Sequence, residues 1–476
     1  MKRILVLVIG PALQLLALVT SGPAGMSDPA WWVAGLAGWM ALWWVTTVIP
    51  LEATALLPLF VLPLTTGRPL DAVAAPYADP VIFLFLGGFF IAAALERWDL
   101  HHRLATATLR VVGASPRRIV LAFLLTTAFV SMWISNTAAA VMMLPIATAA
   151  AGLAGVAPEG TAPSRGFTVA LLLAVAYGAS IGGVGTLIGS PPNAIFAANA
   201  RTLAGVEVSF ADWLPVGLAV AVPLMLACWG LLVVLFRVPG RPGPGSQPLN
   251  RSTAQPPDSG QWFVIGVFAV AALAWIFREP KDVGLIRLPG LTDLVPGLGD
   301  AGIAIGAALL LFAVPLPRAR HRFALDWETA RKVPWGVLLL FGGGLALAGA
   351  AQQSGLAEWI GSRLEGLRGL PLPLVIAVTA LLFAALTELT SNTAIAALGM
   401  PLMAGVAQGL GHPPLPLMMA AALASSMAFM LPVSTPPNAI VFGAGSLRVT
   451  DMVKAGVLLD LVAILVITVV VSVWAS

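Results

Sequence analysis

The chain carries one unusual pattern twice. Residues 131–145 read S-M-W-I-S-N-T-A-A-A-V-M-M-L-P, and residues 387–401 read T-E-L-T-S-N-T-A-I-A-A-L-G-M-P. Each places a hydroxyl residue four positions before a Ser-Asn-Thr triplet, and a proline ten positions after the triplet's serine. The offset is a constant 256, pairing Ser131 with Thr387, Ser135 with Ser391, Asn136 with Asn392, Thr137 with Thr393 and Pro145 with Pro401. Gly87-Gly88 and Gly343-Gly344 share that offset. A second pair follows at an offset of 245, S-P-P-N-A-I at 190–195 and T-P-P-N-A-I at 435–440. Uncharged polar residues duplicated inside apolar surroundings point to one binding site built from two related halves.

The surroundings decide the class. Of 476 residues, 59% are hydrophobic and 10% are charged, whereas a soluble domain carries about 25% charged residues. So few charges cannot coat a soluble surface of this size. Membrane lipid must cover most of it, and the chain reads as an all-α polytopic membrane protein. The 48 glycines and 38 prolines fit broken helices and close helix packing. A single cysteine, Cys228, excludes an intramolecular disulfide and any thiolate metal cluster. The net charge of +4 comes from basic residues dispersed over loops, so topology explains it better than nucleic acid.

A spanning helix needs about 17–25 apolar residues. Eleven candidate runs lie near 4–20, 31–49, 51–65, 80–96, 167–200, 212–236, 261–277, 301–316, 335–352, 415–443 and 455–474. Two further stretches, 119–155 and 373–409, hold the Ser-Asn-Thr triplets near their middles. Each is too long for one span and carries a polar break. A re-entrant hairpin, entering and leaving on one side, accommodates both facts; a pair of full spans is the alternative. Residues 1–25 read as an N-terminal transmembrane helix, with a cleaved signal peptide as the other reading. The Pro- and Gly-rich segment 238–260 reads as a cytoplasmic linker between a first repeat, 26–237, and a second, 261–476. Five spans plus one hairpin in each half invert the second copy relative to the first. With the N-terminus in the cytoplasm, eighteen of the 25 Lys and Arg residues fall inside and seven outside, as the positive-inside rule requires. The segment 97–118 reads as an interfacial helix or an ordinary basic loop.

The motifs suit ion and anion binding. Ser131 and Ser135 are four apart, as are Thr387 and Ser391, so helical geometry places each pair on one face. Neutral hydroxyl, amide and carbonyl oxygens suit Na⁺, whereas a divalent-cation site would normally show carboxylates. Beyond each triplet a new helix starts, and its free N–H groups and positive dipole end can hold an anion. The bland reading is a pair of simple helix caps. Paired prolines in the second motif break the helix there, freeing carbonyls such as those of Gly189 and Ser434 to line a polar cavity; a plain kink is the alternative. Gly182, Gly183, Gly185 and Gly189 allow close backbone approach. The four histidines lie in expected loops or helix ends, and no His pair has metal spacing. No G-x-S-x-G or Walker loop occurs, which argues against an enzyme. Glu388 reads as a structural acid holding its hairpin, and Trp133 as packing.

At these residues the chain resembles the divalent anion:sodium symporter family, the di- and tricarboxylate transporters. The resemblance covers nearly the whole sequence. It implies homodimers with a scaffold domain and a mobile transport domain, working by an elevator motion. It implies a first sodium site of Ser131, Ser135, Asn136 and the Gly189 carbonyl. It implies a second of Thr387, Thr390, Asn392 and the Ser434 carbonyl. Substrate carboxylates would meet Ser135, Asn136, Thr137 and Ser190 on one side, and Ser391, Asn392, Thr393, Thr435 and Pro436 on the other. Thr390 and Ser434 stand where alanine is the family's common choice. The expected activity is sodium-coupled uptake of a C4-dicarboxylate such as succinate, malate or fumarate across the bacterial cytoplasmic membrane. A sodium-independent dicarboxylate exchanger, a carrier of sulfate, citrate or a metalloid anion, and a passive anion channel are the alternatives.

Overall fold

The computed structural model describes residues 2–100, 103–104, 107, 115–154, 165–240, 256–283, 286–317 and 319–475. Polar residues punctuate the apolar runs where helices begin. Ser27 accepts from the Ala30 amide and opens Asp28–Thr46; Asp79 accepts from Val81 and opens Pro80–Arg97. Ser209 with Asp212, and Asp258 with Gln261, form reciprocal capping boxes at the starts of Phe210–Leu235 and Ser259–Ile276.

Among the described residues, seven helices are long and apolar enough to cross a membrane: Leu70–Arg97, Arg165–Val184, Phe210–Leu235, Ser259–Ile276, Trp335–Gln353, Asn392–Leu410 and Val449–Ala475. Six shorter apolar helices accompany them, among them Arg3–Val19, Asp300–Ala313 and Leu372–Thr387. Six of the eleven apolar runs coincide with a helix of spanning length; several of the others are short or broken. The run near 51–65 divides into Leu51–Thr54 and Leu57–Thr66. The run 167–200 divides into Arg165–Val184 and Pro191–Ala204 at its Pro-Pro step, and 415–443 into Pro414–Ala424 and Pro436–Gly443. A small antiparallel ladder, Lys281–Val283 against Ile286–Leu288, interrupts the helical architecture; β-branched Val283 and Ile286 suit that extended conformation. Half of the segment 97–118, including His101 and His102, and residues 241–255 of the linker lie outside the described residues.

Arg165–Val184 is the hub. Nearly all of its side chains are buried, although it is apolar enough for lipid. Its glycines explain the fit. A Cβ at Gly182 would stand 2.1 Å from the Ala128 carbonyl oxygen, and one at Gly178 2.8 Å from that of Leu124, so Pro116–Ser131 rests directly on this backbone. The repeated Gly87 and Gly343 do similar work. A Cβ would meet Ala304 at 2.5 Å in one case and the Ala55 carbonyl at 2.4 Å in the other.

The basic side chains sort into two groups. Arg97 pairs with Asp326, Arg320 with Asp99, Arg165 with Asp451, and Arg117 reaches the Val238 carbonyl. Arg201 pairs with Asp79, Arg278 with Asp300, and Arg368 reaches the Gly409 carbonyl. Each contact joins residues that the sequence places on the same side of the bilayer.

Candidate binding site at converging helix tips

The two Ser-Asn-Thr elements fold alike. Pro116–Ser131 and Asn136–Ala154 flank the first, and Leu372–Thr387 and Asn392–Leu410 flank the second. At about 1.5 Å per residue, the 16-residue first arms are each roughly 24 Å long, less than the ~30 Å hydrocarbon core. Ser135 Oγ accepts from the Ala138 amide at 3.2 Å, and Ser391 Oγ from Ala394 at 3.5 Å. The upstream hydroxyls bond across each turn. Ser131 Oγ lies 2.7 Å from Asn136 Oδ1 and donates to the Ala179 carbonyl at 2.7 Å. Thr387 Oγ1 donates to Asn392 Oδ1 at 2.7 Å and lies 2.8 Å from the Ser425 carbonyl.

The Pro-Pro-Asn elements are also matched. Asn193 Nδ2 donates to the carbonyls of Gly183 and Thr186, at 3.0 and 2.8 Å. Asn438 Nδ2 donates to those of Ala428 and Leu431, at 3.1 and 3.0 Å. Broken backbone strands carbonyls in an apolar interior, and each buried asparagine satisfies two of them. Through its Nδ2, each asparagine fastens the turn that presents Ser190 or Thr435.

Both pairs of elements open on one cavity of about 1150 Å³. Ser135, Asn136, Thr137, Gly189, Ser190, Thr390, Ser391, Asn392, Thr393, Ser434, Thr435 and Pro436 all line it. Ser131 and Thr387 stand behind this lining, fully buried. The helices starting at Asn136, Pro191, Asn392 and Pro436 therefore aim four N-termini into one space. Their dipoles, with the free N–H groups of the two helices that begin at Asn136 and Asn392, make it attractive to an anion; the other two begin with paired prolines, which carry no N–H. The halves touch where Ser190 Oγ meets Ser426 Oγ at 3.1 Å. Glu96, Arg97, Thr329 and Lys332 line the same cavity; the sequence assigns all four to the cytoplasmic side.

The residues expected to hold the first sodium ion lie close together. Asn136 Oδ1 occupies a point 3.2 Å from the Ala179 carbonyl, 3.3 Å from that of Gly189 and 2.7 Å from Ser131 Oγ. An acceptor facing acceptors is unfavourable by itself. Turning the amide relieves it, and so does a cation held among the four oxygens. Among the described residues no group of three His, Cys, Asp or Glu side chains could hold a metal, so the oxygens available here are neutral ones, which suit an alkali ion. The Ala179 and Ser425 carbonyls were not legible as candidates, since a main-chain oxygen carries no residue signature. In the second set, Thr390 Oγ1 donates to Leu386 O at 2.8 Å. Its hydroxyl therefore reaches back to the last turn of the preceding helix, Leu372–Thr387.

Glu388 has the structural part expected of it, accepting from the amides of Met430 at 2.7 Å and Leu431 at 3.1 Å. Trp133 packs, stacking on Phe210 at 6.0 Å and meeting Phe268 edge-on at 4.7 Å.

Apolar helices of spanning length around a polar cavity of opposed helix tips define an integral membrane transporter. The whole chain, residues 1–476, matches the sodium:sulfate symporter transmembrane region family, and the chain belongs to the divalent anion:sodium symporters. It is 40% identical over 474 residues to the sodium-dependent dicarboxylate transporter SdcS of Staphylococcus saprophyticus, covering 98% of this chain and 90% of that protein. The protein of the same name from Staphylococcus aureus is 39% identical over 473 residues, with the same coverage. The crystal structure of the Alcanivorax borkumensis YdaH transporter matches in fold, with a TM-score of 0.54 at 13% identity, over 91% of this chain and 97% of that one. Family and relatives are transporters, not enzymes.

Proposed function

We propose that the protein is a secondary active transporter coupling Na⁺ to the uptake of small C4-dicarboxylates, such as succinate, malate and fumarate, across the cytoplasmic membrane. The observation that carries this reading is the meeting of four helix N-termini in one cavity whose inner lining is neutral. A dianion needs more positive charge than partial dipoles supply, and bound sodium ions provide it. One ion sits with Ser131, Ser135, Asn136 and the Gly189 carbonyl, the other with Thr387, Thr390, Asn392 and the Ser434 carbonyl. The substrate carboxylates lie between Ser135–Thr137 with Ser190, and Ser391–Thr393 with Thr435 and Pro436. The relatives named for sodium-dependent dicarboxylate transport support both cargo and ion.

The two halves act as inverted repeats whose Ser-Asn-Thr hairpins re-enter the membrane from opposite faces. The N-terminus lies in the cytoplasm; the excess of Lys and Arg on that side, eighteen against seven, supports that orientation. On it, the cavity opens inward, so the described conformation is the one that releases substrate. A homodimer with a fixed scaffold and a moving transport domain completes the proposal. The deciding experiment is uptake of radiolabelled succinate into proteoliposomes with and without an inward sodium gradient. Uptake should require sodium and be competed by unlabelled malate and fumarate. Equal uptake in choline would favour the exchanger, and competition by sulfate or citrate but not malate would reassign the cargo.

A further inference from the structure

The C-terminal helix carries an acid that the proposed binding chemistry does not use. Asp460 lies within Val449–Ala475 and is 6% exposed. Among the described residues neither of its carboxyl oxygens meets a hydrogen-bond donor. Such a group is costly in a membrane interior, and intramembrane acids commonly mark function. Gly456 explains its approach. A Cβ there would stand 2.5 Å from Met430 Cα and from the Phe429 carbonyl, so the helix backbone rests on that segment. Asp460, one turn further on the same face, brings its carboxyl against that of Glu388.

Two acceptors in contact leave a donor missing. The neighbours do not supply one. The Tyr177 hydroxyl, from Arg165–Val184, donates to the Phe429 carbonyl at 2.9 Å. Cys228, from Phe210–Leu235, is buried in the same cluster beside Tyr177. Leu372–Thr387 and Pro414–Ala424, which also pack on this helix, bring no titratable side chain of their own. On the helix itself Asp451 is paired with Arg165, and Lys454 is more than a turn away.

We propose that Asp460 is a proton-binding site, whose proton is donated to Glu388 and braces the segment that carries Ser434. Glu388 already takes two backbone N–H groups, which favour its charged form, whereas Asp460 has no such support. The brace is continuous. Glu388 holds the amides of Met430 and Leu431, and the Leu431 carbonyl takes Ser434 Oγ at 2.7 Å and Asn438 Nδ2 at 3.0 Å. Loss of the proton to solvent sets two negative carboxylates in contact. Their repulsion at contact exceeds the attraction the added charge exerts on a more distant sodium ion. The pair separates, the segment relaxes, and sodium binding weakens as pH rises. That effect on sodium rests on the proposed function; the proton itself does not.

Infrared spectroscopy of the purified full chain in lipid tests the proton directly. The wild type should show the carbonyl stretch of a protonated carboxylic acid at neutral pH, lost on alkaline titration, and Asp460→Asn should lack it. A wild type without the band, or a band surviving in Asp460→Asn, overturns the assignment. If that variant fails to fold, the alkaline titration of the wild-type band decides. The functional arm measures half-saturating sodium for succinate uptake from neutral to alkaline pH, where the substrate stays dianionic. It should rise roughly threefold or more in the wild type and stay flat in Asp460→Asn, whose amide remains a donor. A flat wild-type profile overturns the link to sodium. Absence of any sodium-dependent uptake would refute the proposed function while the infrared result still stands.

Discussion

Ser190 and Ser426 stand 236 positions apart in the chain and meet, buried, with their hydroxyl oxygens 3.1 Å apart. Ser190 caps a helix in the first half, and Ser426 begins the irregular segment that leads to Thr435 in the second. The contact joins the two half-sites directly, side chain to side chain.

Ser426→Ala should therefore weaken substrate binding without removing it. A buried hydroxyl left without its partner costs about 1 kcal/mol, so succinate KM should rise about fivefold in proteoliposomes. An unchanged KM would show that the halves are held together elsewhere.

Asn136 and Asn392 each touch an upstream hydroxyl behind the cavity while lining the cavity itself. Replacing either with Ala should impair sodium and substrate affinities together, each by about tenfold or more, since polar contacts to charged partners contribute about 1.5–3 kcal/mol. Uptake titrated against each solute separately checks this; loss of one affinity alone would separate the two roles.

Gly183 lies under the first site. A Cβ there would stand 2.4 Å from Asn136 Oδ1. Gly183→Ala should displace that amide and abolish most of the thermal stabilisation that sodium gives the purified protein, because a ligand stabilises only through the site it binds. Retained stabilisation would move the first ion away from Asn136.

Glu388→Ala leaves the Met430 and Leu431 amides without acceptors. Each orphaned buried donor costs about 1–3 kcal/mol, so the Tm in detergent should drop by several degrees, with sodium affinity reduced in parallel.

Acid should loosen the cavity mouth. Partial burial pushes the Asp326 carboxyl up, but hydrogen bonds from Thr329 and the Arg97 guanidinium outweigh it, and the net value lies below the ordinary carboxylate range. A depressed folded value means that the contribution to stability is present above the unfolded value, about 3.9, and is lost as pH falls through the folded one. Melting curves at decreasing pH should show this loss in the wild type, and Asp326→Asn should flatten that part of the profile.

The polar breaks were legible because proline and hydroxyl residues mark them individually. Ser131, Asn136, Thr387 and Asn392 stood out by their duplicated spacing, while their part in ion binding was implied by the family resemblance; the structure places Asn136 and Asn392 on one cavity with Ser131 and Thr387 bonded to them. The Ala179 and Ser425 carbonyls could not be named, since any residue has a main-chain oxygen and only folding selects which ones converge. Span count was obscured for a related reason. Hydropathy sums over a run and does not register a short irregular joint, such as residues 185–190 or 425–435, within it. The Gly456 approach that carries Asp460 to Glu388 joins distant segments, a relation no local pattern encodes.

In the proposed site, the attraction for negative charge belongs to the main chain, at four helix origins. No single codon change can delete a peptide dipole. Evolution can thus exchange the hydroxyls and amides around the cavity, altering which oxyanion fits, while the preference for anions persists. Diversity of cargo within one architecture follows from that division between an inherited field and an editable lining.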